Sequence, residues 1–122
     1  MRTTLALIAA LVGGSALAHH SGAMFDRTKK VELAGTVKQY QFANPHVWIE
    51  LMVPAKDGKA VQWSIEGEGP PIMARMGLGP SVLKAGDKVT IQAHPLRDGR
   101  TGGSFIAITL ADGKVVTSVR PQ

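Results

Sequence analysis

Cysteine is absent from the 122-residue sequence, and aromatic residues make up only 5% of it. The lack of cysteine excludes disulfide bonds, thiolate nucleophiles, thiolate-ligated metal sites and a lipid anchor attached to cysteine. Apolar runs are also short, since Leu5–Val12 falls well below the ~20 residues that a transmembrane helix needs. We therefore expect no transmembrane segment, and a domain that is stabilised by burial of side chains alone.

The first residues have the pattern of a secretory signal. Arg2 gives a basic start before the apolar run, and small residues lead up to Ala18, where a signal peptidase would cleave. We expect residues 1–18 to be removed and the protein to be periplasmic or secreted; an uncleaved anchor is the alternative. Without Arg2, 13 of the 14 Lys and Arg residues remain against 9 Asp and Glu, giving 13 − 9 = +4, which by itself does not indicate nucleic-acid binding.

Two segments of alternating apolar and polar residues, Val47–Val53 and Val61–Glu66, flank the turn Asp57-Gly58 and predict a β-hairpin. If Val61, Trp63 and Ile65 pair with Val53, Leu51 and Ile49, one face of the hairpin is apolar. A slip of one residue would place carboxylates in the core, so the pattern fixes the register. The opposite, polar face then carries His46, Trp48, Glu50, Met52, Gln62, Ser64 and Glu66, with Glu66 opposite Trp48 and Glu68 opposite His46.

The remaining segments predict three further strands and one short helix. The first strand is long, bent at Gly35 and bulged near Lys38-Gln39, where the alternation changes parity. A helix follows the hairpin at Ile72–Met76, two strands follow at Lys88–His94 and Ser104–Leu110, and a last turn leads into Lys114–Val119. Five strands with a helix between strands three and four predict an all-β, OB-like Greek-key barrel (oligonucleotide/oligosaccharide-binding fold) over residues 31–122, preceded by an extended arm at 19–30. A small open β-sandwich is the alternative.

Several short motifs occur together along the expected mature chain: His19-His20-Ser21, Asn44-Pro45-His46-Val47-Trp48, Trp63-Ser64-Ile65-Glu66, Leu83–Val89 and His94–Gly99. With them the chain resembles a family of small exported bacterial proteins, the domain-of-unknown-function family 6152. The resemblance covers essentially the whole mature chain and implies export, a small β-rich domain and a bacterial envelope setting. It implies no activity.

The four histidines, His19, His20, His46 and His94, are the candidate metal ligands. Cleavage after Ala18 would make His19 the first residue, so that its α-amino group and imidazole could chelate one metal ion while a second imidazole completes the nitrogen set. Nitrogen-rich tetragonal coordination suits Cu(II), and copper is the expected metal. A solvated His-His tail and histidines that only form hydrogen bonds are the alternatives.

The polar face of the hairpin supplies a second set of candidate ligand-binding residues, namely Trp48, Glu50, Glu66 and Glu68. The alternative for Trp48 is a ring that is covered by the N-terminal arm or by the loop after the fourth strand. The face has carboxylates, one aromatic residue and no interleaved Lys or Arg, which argues against nucleic-acid binding. No motif of a hydrolase, kinase or metalloprotease is present, so we expect a non-enzymatic protein. The alternative function is a monomeric scaffold module whose polar hairpin face binds an envelope protein or a glycan.

Overall fold

A computed structural model describes residues 21–118. The elements of this part of the chain are two short helices and six strands. The helices are α1 (Ser21–Met24) and α2 (Pro70–Arg75), and the strands are β1 (Val31–Gln41), β2 (Trp48–Pro54), β3 (Ala60–Glu66), β4 (Lys88–Pro95), β5 (Gly102–Thr109) and β6 (Val115–Thr117). Within these residues, neither helix has the length and apolar character needed to cross a membrane.

The central hairpin, β2 and β3, has the register that its sequence pattern predicts. Ile49 pairs with Ile65, Leu51 pairs with Trp63, and Trp48 pairs with Glu66. The side chains of Ile49, Leu51 and Ile65 are fully buried, because the apolar face of the hairpin packs into the core of the barrel. The hairpin therefore presents Trp48 and Glu66 on its outer face.

Strand β1 is long and pairs with a different neighbour along each half of its length. Its first half, Val31–Thr36, pairs with β4, and its second half pairs with β2, with a register shift between Val37 and Gln39. At Gly35 an added Cβ would lie 2.4 Å from the carbonyl oxygen of Met52, so only glycine allows the strands to approach this closely. The register shift occurs where the sequence predicts a bulge, and Gly35 lies at a close approach of two strands.

The sheet closes into a barrel through a parallel pairing. Strand β5 pairs with β4 on one side, and its residues Gly102–Ser104 pair in parallel with Ser64–Glu66 of β3 on the other. The closed order β1-β2-β3-β5-β4 is that of an OB-type barrel, which confirms the predicted fold and excludes the open sandwich. The short strand β6 pairs with the end of β5, outside the closed ring, in the segment predicted only as a final turn and tail.

Helix α2 lies between β3 and β4, as predicted, and begins two residues earlier than the sequence pattern indicates. Its residue Met73, together with Leu78 after the helix, is fully buried against the barrel. The Tyr40 hydroxyl donates a hydrogen bond of 2.7 Å to the Leu78 carbonyl oxygen, and burial raises the pKa of Tyr40 to about 12. The segment that follows the helix is thereby tied to the end of β1.

The segment before β1 differs from the extended arm that the sequence predicts. It starts, within the described residues, with the single helical turn α1, after which Phe25 forms a β-bridge with Leu96. Phe25 is 4% exposed, because the segment lies against the barrel instead of extending into solvent. The buried aromatic ring explains why the segment folds back.

Candidate functional site

His46 lies at the entrance to β2, where the backbone ladder of the hairpin continues beyond the strands. The amide of Val47 donates to the Glu68 carbonyl oxygen at 2.9 Å, and the amide of Gly67 donates to the Val47 carbonyl oxygen at 2.7 Å. Val47 is fully buried, so the backbone beside His46 is fixed. The imidazole is held on the outer face at the end of the hairpin.

The Nδ1 atom of His46 is hydrogen-bonded to Oε1 of Glu66. A carboxylate only accepts hydrogen bonds, so Nδ1 carries the proton, and in the neutral ring Nε2 carries a lone pair. The side chain of His46 is 33% exposed and that of Glu66 is 11% exposed. This is the arrangement in which a carboxylate orients a metal-binding histidine.

Glu68 lies near this pair in a narrow crevice that has room for little more than one water molecule. Glu68 is 9% exposed, and the crevice is also lined by Gly22 and Arg27. Two carboxylates and one guanidinium therefore surround the imidazole, together with the chain just after its predicted N-terminal histidines. His46, Glu66 and Glu68, three of the predicted site residues, are brought together here.

His94 has a different role in the structure. It is 4% exposed, and its Nδ1 donates a hydrogen bond of 2.8 Å to the Lys29 carbonyl oxygen. Across the sheet it pairs with Ser104, which in turn pairs with Glu66, so His94 and Glu66 are two strands apart, about 10 Å between backbones. His94 lies at the same end of the barrel as His46 but holds the N-terminal segment and does not line the crevice.

His19 and His20 lie outside the described residues. Among residues 21–118, no three His, Asp or Glu side chains are arranged to hold a metal ion. Any metal site at His46 would therefore need further ligands from the part of the chain before Ser21. Gly22 lines the crevice, so the described chain begins beside His46.

Glu50 forms its own hydrogen bonds, away from the His46 crevice. Its carboxylate accepts from the Ser64 hydroxyl at 2.6 Å and from the Gln62 amide at 2.9 Å. The amine of Lys38 donates to the Gln62 side chain at 2.8 Å, so a cation borders the outer face that was predicted to lack one. The register places Glu50 opposite Ser64 and not opposite Glu66, so the two carboxylates do not form a pair across the hairpin.

Trp48 is half-buried and forms part of a groove of about 540 Å³. Ser64 and Glu66 lie on the same floor as Trp48, the N-terminal segment forms one wall with Met24 and Phe25, and the loop between β4 and β5 forms the other with Leu96 and Gly99–Gly103. A depression of about 630 Å³ beside the middle of β1 is larger, but its lining contains no aromatic, acidic or histidine residue. The groove is therefore the better candidate for a ligand site.

From the sequence, the N-terminal arm and the loop after the fourth strand are expected as segments that could cover Trp48, but the residues that line the groove are not. The available signal was the pair Gly102-Gly103: an added Cβ at Gly102 would lie 2.7 Å from Leu96 Cδ1, and one at Gly103 would lie 2.9 Å from the His94 carbonyl oxygen. Two adjacent glycines at the start of a strand indicate a close backbone approach. Phe25 and Met24 carried no comparable signal, because their contacts depend on how the N-terminal segment folds back.

Comparison with known proteins gives a family and a fold. A family model described as "Family of unknown function (DUF6152)" matches residues 7–105. No curated protein matches the chain.

Among solved structures, the chain is similar to the mitochondrial single-stranded DNA binding protein Rim1 from S. cerevisiae. One crystal form has a TM-score of 0.53 at 10% identity, with 76% of this chain and 98% of that chain covered. Another has a TM-score of 0.49 at 13% identity, with 68% and 94% covered. At this identity the similarity supports the OB-like barrel alone.

Proposed function

Because the chain belongs to domain-of-unknown-function family 6152, we propose its function from the site itself: an exported, non-enzymatic protein that binds a transition-metal ion, copper, at His46. The observation that carries the proposal is the hydrogen bond from His46 Nδ1 to Glu66. It fixes the ring and leaves Nε2 as a ligand atom at a partly exposed position. Copper is favoured over harder cations because the proposed donor atoms are nitrogens.

The other ligands would come from the start of the mature chain. His19 is three residues before Gly22, and three residues span at most about 11 Å, so the crevice at His46 is within its reach. Cleavage after Ala18 would give His19 an α-amino group, which together with its imidazole and His46 Nε2 makes three nitrogen donors. His20 is the alternative source of an imidazole.

His46 is preferred over His94 as the ligand from the barrel. The Nδ1 atom of His94 already donates to the Lys29 carbonyl oxygen, and the ring is 4% exposed, so a metal ion could reach it only if the N-terminal segment moved away. In the crevice, the two carboxylates of Glu66 and Glu68 outnumber the guanidinium of Arg27 and favour a cation.

Titration of the mature protein with Cu(II), followed by electron paramagnetic resonance and calorimetry, tests the proposal. We expect a nitrogen-ligated signal, and a loss of affinity of at least about ten-fold when one glycine is added before His19 or when His46 is changed to Ala. One glycine added after Gln122 is the matched control and should change nothing. The absence of tight binding, or binding that is unaffected by both changes, would overturn the proposal.

N-terminal sequencing of the exported protein tests the premise separately. The proposal requires His19 to be the first residue of the mature chain. A mature chain that begins elsewhere would remove the chelating amino group and with it the proposed donor set.

A second candidate function is favoured by the groove beside Trp48. In this case the outer face of β2 and β3 binds an envelope protein or a glycan, as an alternative or in addition to the metal. Trp48→Ala and Glu66→Ala should then abolish capture of the partner from an envelope extract, while His46→Ala should not. Unchanged capture by both variants would exclude this function.

A further inference from the structure

We propose that the groove beside Trp48 binds a neutral oligosaccharide, with one sugar ring stacked on the indole; this rests on the second proposed function and not on the metal. The volume of about 540 Å³ lies within the range of small-molecule sites, about 300–1,000 Å³. The floor combines one aromatic ring with the polar side chains of Ser64 and Glu66. A sugar offers the matching combination of an apolar C–H face and a rim of hydroxyl groups.

The walls of the groove are held by backbone hydrogen bonds. The Leu96 amide donates to the Gly102 carbonyl oxygen at 3.0 Å, and the Ser64 amide donates to the Thr101 carbonyl oxygen at 3.2 Å. The Thr101 hydroxyl donates to the Gln62 carbonyl oxygen at 2.7 Å. The two walls are joined to each other where Phe25 is bridged to Leu96. A site with fixed walls loses little conformational entropy when a ligand binds, which favours a preformed groove as a true binding site.

Among residues 21–118, the one cation in the lining of the groove, Arg100, is already paired within the protein. The Arg100 amide donates to Asp98 at 3.0 Å and its Nε donates to the same carboxylate at 2.7 Å, and these two bonds hold the pKa of that carboxyl below its ordinary value. A polyanion such as single-stranded DNA would need several cations that are not paired within the protein. A neutral ligand requires no compensating charge and fits this lining better.

Hydrogen-bonding capacity remains for sugar hydroxyls. The carboxylate of Glu66 uses one oxygen for His46 and still has lone pairs on both oxygens. The carboxylate of Glu66, which lines the same groove as Trp48, can therefore orient a sugar whose apolar face lies on the indole.

The chain contains two tryptophans, so fluorescence reports on Trp48 alone once Trp63 is replaced. In a Trp63→Phe protein, Trp48 is the single reporter, and it can be titrated with chitohexaose, cellohexaose, laminarihexaose and maltohexaose. We expect a saturable change with at least one of them, at a dissociation constant below about 1 mM. Binding by none of the four would overturn the proposal.

Calorimetry on proteins that retain Trp63 supplies the matched comparison. Trp48→Ala should reduce affinity by at least about ten-fold, since stacking on an aromatic ring contributes roughly 1–3 kcal/mol. Met52→Ala changes the same face of the same strand outside the groove and should have no effect. Equal affinity of Trp48→Ala and the unchanged protein would overturn the proposal, as would tighter, salt-dependent binding of oligo(dT).

The two functions fail in different ways. Copper binding that persists in Trp48→Ala while sugar binding is lost supports the groove as a separate site. If no sugar binds but a purified envelope protein is still captured through Trp48, the oligosaccharide is overturned and the broader second function stands.

Discussion

The carboxylate of Glu66 and the imidazole of His46 meet at the end of the β2–β3 hairpin, although 20 positions separate them in the sequence. Glu66 and Phe25 line both the His46 crevice and the Trp48 groove, and of these two only Glu66 belongs to the hairpin. A change at this one carboxylate should therefore affect both proposed ligands.

Glu66→Gln should weaken Cu(II) binding about ten-fold without preventing folding. Glutamine can still accept the hydrogen bond from Nδ1, but it lacks the charge that raises the basicity of the imidazole. Calorimetry at constant pH gives the affinity. Glu50→Gln, which removes the same charge from a neighbouring position on the same face, is the control and should have a much smaller effect. Equal effects of the two changes would mean that the carboxylates act only through their general charge.

His94→Ala should release the N-terminal segment. The buried imidazole would no longer donate to the Lys29 carbonyl oxygen, and we expect a loss of about 1–3 kcal/mol in the free energy of unfolding. Hydrogen exchange should become faster at Asp26, whose amide donates to Pro95, and at Arg97, whose amide donates to Met24. His46→Ala, at a partly exposed position, should leave these two amides protected. Unchanged exchange in His94→Ala would show that Phe25 alone holds the segment.

Gly35→Ala should be strongly destabilising. The added Cβ would lie 2.4 Å from the carbonyl oxygen of Met52, and a backbone atom in a paired strand cannot move away without breaking the β1–β2 ladder. We expect a loss of about 2–4 kcal/mol in denaturant unfolding. Gly79→Ala is the matched control, because an added Cβ there meets no atom within 4 Å, and a change within about 0.5 kcal/mol is expected. Similar stabilities for the two variants would contradict the close approach at Gly35.

Tyr40 should make the protein less stable in alkali. Its pKa is raised from 10.0 to about 12 by burial, so folding favours the neutral phenol; the resulting stabilisation is complete below pH 10 and is lost as the pH rises toward about 12. Tyr40 is the only tyrosine in the chain, so near-ultraviolet absorbance of tyrosinate follows it directly. Tyr40→Phe should lower stability at neutral pH by about 1 kcal/mol, through loss of the bond to Leu78, and should have a shallower alkaline decline. A normal pKa in the folded protein would contradict the burial of the hydroxyl.

The sequence was sufficient to predict the barrel because its strands alternate strictly. Ile49, Leu51 and Ile65 must all face inward, and only one register allows this while Glu50 and Glu66 face outward. The change of parity after Val37 likewise locates the bulge of β1, and Gly35 marks the close approach of β1 to β2. These features follow from local chemistry, so they can be read without the rest of the structure.

The position of the N-terminal segment could not be predicted in the same way. It is held largely by backbone groups, such as the Asp26 amide on the Pro95 carbonyl oxygen, and backbone groups leave no pattern in the sequence. The sequence around His94 is equally consistent with a metal ligand and with the observed role, in which the imidazole donates a hydrogen bond to the Lys29 carbonyl oxygen. The residues that line the groove beside Trp48 could not be predicted for the same reason, since Met24 and Phe25 belong to this segment.

The two ends of the chain are not equivalent places for a fusion tag. Residues before Ser21 join the chain beside both the crevice and the groove, because Gly22 lines one and Met24 the other. At the other end, the described residues finish just after β6, which pairs with Ala107–Thr109, about 15 Å along β5 from the residues that line the groove. A peptide fused ahead of the histidines would therefore crowd the very surfaces that a binding assay is meant to measure, whereas one attached at the carboxyl end would leave them accessible.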